Sequence, residues 1–329
     1  MITLTWKTSV LASAIHAARE IIKRVASGSS PLLAEQQQIN EERNCRDPLT
    51  FLPTHDLDSR NVFIESAATL TANFVSRRNS PAGNSPADRY WHRILEQACS
   101  GLPHHLLETS LDGDLDLLRE LEASYRRMYP KIDEQLLLRA RPIQESWTGF
   151  GRGLMAHMKR LTQPDWIVRD ATALLVQPIR GGDGIAFPKS KIFLVEAMLT
   201  NASPELPEVL RVAWLASQMN AGLLNEEKLV DSDELTPAQQ SRSLAIAMMM
   251  CTLAAGEVME LCRCDEATAT KALELWGIDT AESNRDTGDS RNSFTAKTAI
   301  TWWETYLQTR PTIGVGLVAL NKMLQRRDG

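Results

Sequence analysis

The chain has 329 residues, 43% hydrophobic and 23% charged, with a formal net charge of −5. That is enough apolar material for one large domain or two modest ones. The acidic balance excludes the global positive field of most nucleic-acid binders, so no nucleic-acid partner is expected. Five scattered cysteines (Cys45, Cys99, Cys251, Cys262 and Cys264) do not form a disulfide framework, and reduced thiols in a cytoplasmic protein are the simplest reading.

The periodicity predicts a helix over residues 7–25, with Ile15, Ala18, Ile22 and Val25 on one face. Arg19, Glu20, Lys23 and Arg24 make it amphipathic rather than a signal peptide. Residues 32–60 read as irregular, and a second helix is expected over 62–76. Residues 77–89 repeat Asn-Ser-Pro and read as a linker, with Ser80 or Ser85 as a regulatory site the less favoured alternative. Short helices follow over 90–100 and 103–109. Leu115, Leu118, Leu121, Tyr125 and Met128 predict a helix over 114–128, capped by Asp112 or Asp114. A long helix is expected from Pro130 to about residue 161, kinked or broken at Pro142 and at the Gly149, Gly151 and Gly153 cluster.

Residues 173–178 and 192–195 read as a β-hairpin around the Gly181-Gly182-Asp183-Gly184 turn. Ser203-Pro204 reads as the start of a helix over 204–221 that is apolar almost all round and therefore buried. Thr236-Pro237 starts a helix to about 262 whose LAIAMMMCTLAA run is the expected central core. Asp265 caps a helix ending at Gly277, residues 281–293 form a polar loop, and helices over 294–308 and 313–325 close the chain. The expected fold is α+β and predominantly helical, with one small β element around 172–199. An N-terminal arm covers 1–85 and a main domain 86–329. No stretch reaches the roughly 18 apolar residues of a membrane span, so no membrane association is expected.

The loop RGGDGIAFPKSK offers an anion site. Gly181, Gly182 and Gly184 let backbone N–H groups converge, and Arg180, Lys189 and Lys191 add positive charge. A plain Gly-rich turn explains it equally well. Four polar groups, Arg180, Glu208, Arg211 and Glu257, are candidates for a pocket between residues 180–191 and the 204–221 helix. Glu208 and Arg211 either line that site or form an ion pair that orients a buried helix; the ion pair is preferred, because isolated buried charges are costly. His104, His105 and Glu108 have helical ligand spacing but no completing cluster, and Cys262 and Cys264 at a helix end are a redox candidate. Glu257 and Glu260 could pair as carboxylates but read more simply as a solvated face. No metal or cofactor is expected.

The order long helix, small sheet with an edge strand, helix, later helix over residues 130–262 resembles the core of zincin metallopeptidases. In the helix after the sheet, Pro207-Glu208-Val209-Leu210-Arg211 falls on the H-E-x-x-H position. Glu208 would match the general-base glutamate, Pro207 and Arg211 stand where the two zinc-binding histidines would be, and Glu257 lies where some zincins place a glutamate ligand. Without the histidines the resemblance implies a degenerate scaffold without peptidase activity. The stretches RARPIQESW and ELPEVLRVAWLASQMN also resemble bacterial proteins and imply no activity. The expected function is a non-enzymatic intracellular scaffold or interaction protein. Its protein partner, or a second copy of the chain, would dock on residues 1–85.

Overall fold

The computed structural model describes residues 2–26, 52, 53, 55–77, 93–96, 98, 114–162, 166–220, 236–278 and 288–325. Among the described residues the chain is predominantly helical with one small four-stranded mixed sheet. Its contacts divide it into two compact units, Met1–Lys7 with Leu138–Gly329, and Thr8–Leu137. The division therefore falls at 137/138 rather than at 86. Residues 1–85 are not one arm, because the first residues belong to the sheet of the larger unit.

The smaller unit packs α1 (Val10–Ala26), α2 (Leu57–Arg77) and α3 (Leu115–Met128) together. The Ser9 hydroxyl accepts from the Ala12 amide (3.0 Å) and the Asp56 carboxylate from the Ser59 amide (2.9 Å), so each helix start finds an acceptor for a free N–H. Leu118, Leu121, Tyr125 and Met128 are buried as their spacing predicts, with the Phe63 and Tyr125 rings 5.6 Å apart. Asp114 precedes α3 but does not cap it with its side chain. Its carboxylate instead accepts from Asn73 Nδ2 at 3.4 Å.

The predicted long helix is three segments: α4 (Ile132–Ser146), a π-helical turn (Trp147–Gly151) and α5 (Arg152–Leu161). Pro142 stays inside α4. The interruption comes at the glycine cluster, where the wider turn inserts a residue and rotates the face that α5 presents.

In the larger unit the strand order is β1-β2-β4-β3, from β1 (Thr3–Thr8), β2 (Asp170–Val176), β3 (Gly184–Phe187) and β4 (Ile192–Glu196). The expected hairpin is corrected here. β2 runs parallel to β4, pairing Thr172 with Ile192 and Val176 with Glu196. The antiparallel partner of β4 is β3, with Gly184 opposite Val195 and Phe187 opposite Ile192. The chain thus reverses twice between β2 and β4, once at the Gly-rich loop and once at a 3₁₀ turn (Pro188–Ser190) that ends with Lys191 at φ 51°. β4 is buried at every position, as a central strand covered on both faces requires.

The helix α6 (Glu208–Ser217) starts four residues later than predicted, with Pro207 as its N-cap. Helical backbone from 204 would leave the Ser203 carbonyl without its donor, because Pro207 has no N–H, and Pro207 also disfavours helical backbone at Leu206. Residues 203–206 instead close a small bridge. In it the Ser203 hydroxyl donates to the Glu205 carboxylate, which also receives Lys271 Nζ at 2.8 Å. The Lys271 ammonium and the Ser203 hydroxyl hold the Glu205 carboxyl down at about 2.

Helix α7 (Pro237–Val258) is the centre of this unit, packing against α5, α6, α8 (Glu266–Leu275), α9 (Gly288–Thr309) and α10 (Ile313–Gln325). Thr236 and Gln239 form a capping box, and the Asp265 carboxylate accepts from the Thr268 amide at 2.8 Å. Met248, Met249, Met250, Cys251 and Leu253 are at most 1% exposed, so the run read as the central core occupies it. The indole N–H groups of Trp166, Trp214 and Trp302 donate to the carbonyls of Ser217, Ala245 and Gly316 at 2.8–3.1 Å. Burying these large rings therefore leaves no donor unpaired. α9 begins at Gly288, inside the stretch read as loop. Among the described residues no helix is long and apolar enough to cross a membrane.

Candidate functional site

The Gly-rich loop does gather backbone N–H groups around an anion, and that anion is the protein's own Glu196. Ile179 N and Arg180 N donate to Glu196 Oε1 at 2.7 and 2.8 Å. Gly181 N, Gly182 N and Asp183 N donate to Oε2 at 2.8, 2.8 and 3.1 Å. Gly181 (φ +85°) and Gly182 (φ +138°) adopt backbone that side chains resist, which is what brings five consecutive amides to one carboxylate. Gly184 N donates to Asp183 Oδ1 at 2.7 Å. A Cβ on Gly184 would lie 2.5 Å from Leu215 Cδ1, so the glycine also lets β3 approach α6. The amides expected to receive an external anion are therefore already occupied.

Arg211 and Glu208 sit behind this loop. Arg211 is 1% exposed. Its Nη1 donates to the Asp183 carbonyl, and its Nη2 donates to the Glu196 carbonyl (2.8 Å) and to Glu208 Oε2. Glu208 is 8% exposed and also accepts from the Ala202 amide at 3.4 Å, while its own amide donates to Asn201 Oδ1 at 3.1 Å. The two charges that mark an otherwise apolar helix thus bond to each other. The guanidinium further ties α6 to the loop and to the end of β4. Arg180, at the loop's exposed side, pairs with Asp183 at 3.4 Å.

The other predicted residues are not brought to this cluster by any hydrogen bond or ion pair. Glu257 is exposed, and its carboxylate accepts from Cys264 N at 3.0 Å, closing the turn after α7. Glu260 is exposed at φ 58°. Lys189 is exposed, and Lys191 lies 4.0 Å from Asp170. Burial, with the Glu257 and Asp265 carboxylates nearby, pushes the Cys262 and Cys264 thiols up to about 12. Burial raises the Cys251 thiol as well. That is the reverse of a reactive thiolate. His104, His105, Glu108, Ser80, Ser85, Cys45 and Cys99 lie outside the described residues. Among the described residues no group of three or more His, Cys, Asp or Glu side chains is placed to hold a metal ion.

Two features escape a reading of the sequence. Glu196 is one; its signal is a lone carboxylate closing an apolar strand just after a Gly-rich loop. The second is a groove of about 530 Å³ in the larger unit, between α5 and the start of the sheet. Arg152, Lys159, Arg169, Lys191 and Asp170 line it, around buried Ile2, Met155 and Val168. Arg152 and Lys159 stand seven residues apart on α5, two helical turns, which puts them on one side. No protein family, curated protein or solved structure matches the chain.

Proposed function

We propose that this chain is a non-enzymatic intracellular binding or scaffold protein, built on a degenerate metallopeptidase-like arrangement. The carrying observation is the use made of α6. Glu208, which the zincin resemblance would make the general base, is bonded to Arg211, and Arg211 to the backbone of the loop and of β4. A general base must reach a water or a metal in a cleft. Here the same carboxylate neutralises a buried guanidinium, and the helix face is spent on holding α6 to the sheet. The packing of α6 between the sheet and α7 supports the resemblance in element order.

Docking of a protein partner or a second copy is assigned to the N-terminal region from Thr8 onward. The support is that α1 and α2 belong, with α3, to a compact unit distinct from the one that holds the sheet. The test uses the full chain, because deleting 1–85 would strip β1 from the sheet. Purified protein incubated with zinc and then dialysed is expected to retain no stoichiometric metal and to cleave no unstructured protein substrate. Light scattering is expected to give at least twice the monomer mass, or a monomer that captures a partner through exposed residues of α2. One zinc per chain, with hydrolysis abolished by Glu208→Gln, would overturn the reading.

A further inference from the structure

We propose that the groove beside α5 is a binding site for a small phosphate-bearing metabolite. Arg152, Lys159, Arg169 and Lys191 take the phosphate oxygens, and the rest of the ligand rests against Ala156 and Ile167. The site shares no residue with the Glu208–Arg211 cluster and stands whether or not the zincin-like reading holds.

Charge is the first argument. Among the described residues the groove gathers four cations against one carboxylate, Asp170, on a chain whose net charge is −5. Lys191 has Asp170 at 4.0 Å. Among the described residues the side chains of Arg152, Lys159 and Arg169 have no ion pair. Like charges around one concavity repel, and a multivalent anion relieves that repulsion. A concave wall also raises the local anion concentration above what the net charge of the molecule allows.

Ligand chemistry follows from the side chains. Two guanidinium forks and two ammonium groups match the several oxygens of a phosphate chain better than a single carboxylate. Shape narrows the choice. About 530 Å³ falls within the roughly 300–1,000 Å³ of small-molecule sites. A nucleic-acid strand follows a long basic track rather than filling one concavity. The cations are also anchored on ordered backbone. The Arg169 carbonyl accepts from Thr3 N (2.8 Å), the Lys191 carbonyl accepts from Thr172 N (2.9 Å), and Arg152 and Lys159 ride on α5.

Isothermal titration of the full chain at low salt, with ATP, pyrophosphate and adenosine as probes, tests this. The expected result is saturable binding of one ATP per chain, weaker binding of pyrophosphate and none of adenosine. Arg152→Gln with Arg169→Gln is expected to weaken ATP binding at least tenfold, while the unbound protein melts at the same or a higher temperature. Should that double variant not fold, Lys159→Gln alone is expected to weaken binding severalfold. Lys189→Gln, an exposed lysine outside the groove, is expected to leave it unchanged. The proposal is overturned by the absence of saturable binding to either anion, by equal losses in Lys189→Gln and the groove variants, or by single-stranded RNA binding in place of ATP with an affinity that collapses as salt rises.

Discussion

Replacing Glu196 by glutamine is expected to destabilise the larger unit by about 3–5 kcal/mol, the range seen when one partner of a buried charged network is removed. Five amides converge on this carboxylate within 3.1 Å, and the side chain is fully buried. Glutamine keeps one acceptor oxygen and turns an N–H₂ group towards amides that are themselves donors. Each buried N–H left unpaired costs about 1–3 kcal/mol, less whatever relaxation of the loop or an entering water recovers. The loop owes its form to this anion, since Gly181 and Gly182 hold backbone that is otherwise unrewarded. Guanidinium unfolding followed by tryptophan fluorescence checks the figure. Trp214 on α6 stacks on Trp276 at 5.1 Å and reports on this region. A loss under 1 kcal/mol would mean that the loop does not depend on Glu196.

Arg211→Met is expected to cost a similar amount, about 3–5 kcal/mol, for a different reason. It removes a donor from the Asp183 carbonyl, which keeps the Glu196 amide at 3.0 Å, and from the Glu196 carbonyl, and leaves Glu208 without its counter-charge in an almost closed site. Glu208→Gln alone costs less, because Glu208 keeps some exposure and the single glutamine oxygen can still accept from Arg211, leaving only the long Ala202 contact unmade. Adding Glu208→Gln to Arg211→Met removes the stranded charge but does not restore the donor lost to the Glu196 carbonyl. The double variant is therefore expected to fall between Arg211→Met and the wild type, with a coupling of about 1–3 kcal/mol in the cycle. Strict additivity would show that the two side chains do not interact in solution.

Helix-local features were legible in the residues. The uncharged run in α7, the Thr236-Pro237 start, the Asp265 cap and the stripe of α3 each depend on contacts within one or two turns. The Glu208–Arg211 pair was legible for the same reason, as two charges one turn apart on an apolar helix. The sheet was harder. β1 (TLTWKT) carries the alternation of a strand, but it is short and its partner lies more than 160 residues away, so the pairing cannot be read from the segment alone. β3 is four residues long and is defined by β4 rather than by its own pattern. The Gly-rich loop suggests converging amides from its sequence, and they converge on an internal carboxylate rather than an external anion. The anion itself could not be identified, because Glu196 becomes its partner only once β3 and β4 pair. The groove needs α5, the stretch before β2, the turn before β4 and the N-terminus together, and no spacing rule joins them.

Hydrogen exchange at the amides of Ile179, Arg180, Gly181, Gly182 and Asp183 tests most directly whether the loop closes on Glu196. The expected result is slow exchange in the wild type, unchanged by added phosphate or pyrophosphate, and fast exchange in Glu196→Gln. Fast exchange in the wild type that slows when phosphate is added would contradict the account, for it would make the loop an open anion site rather than one filled by Glu196.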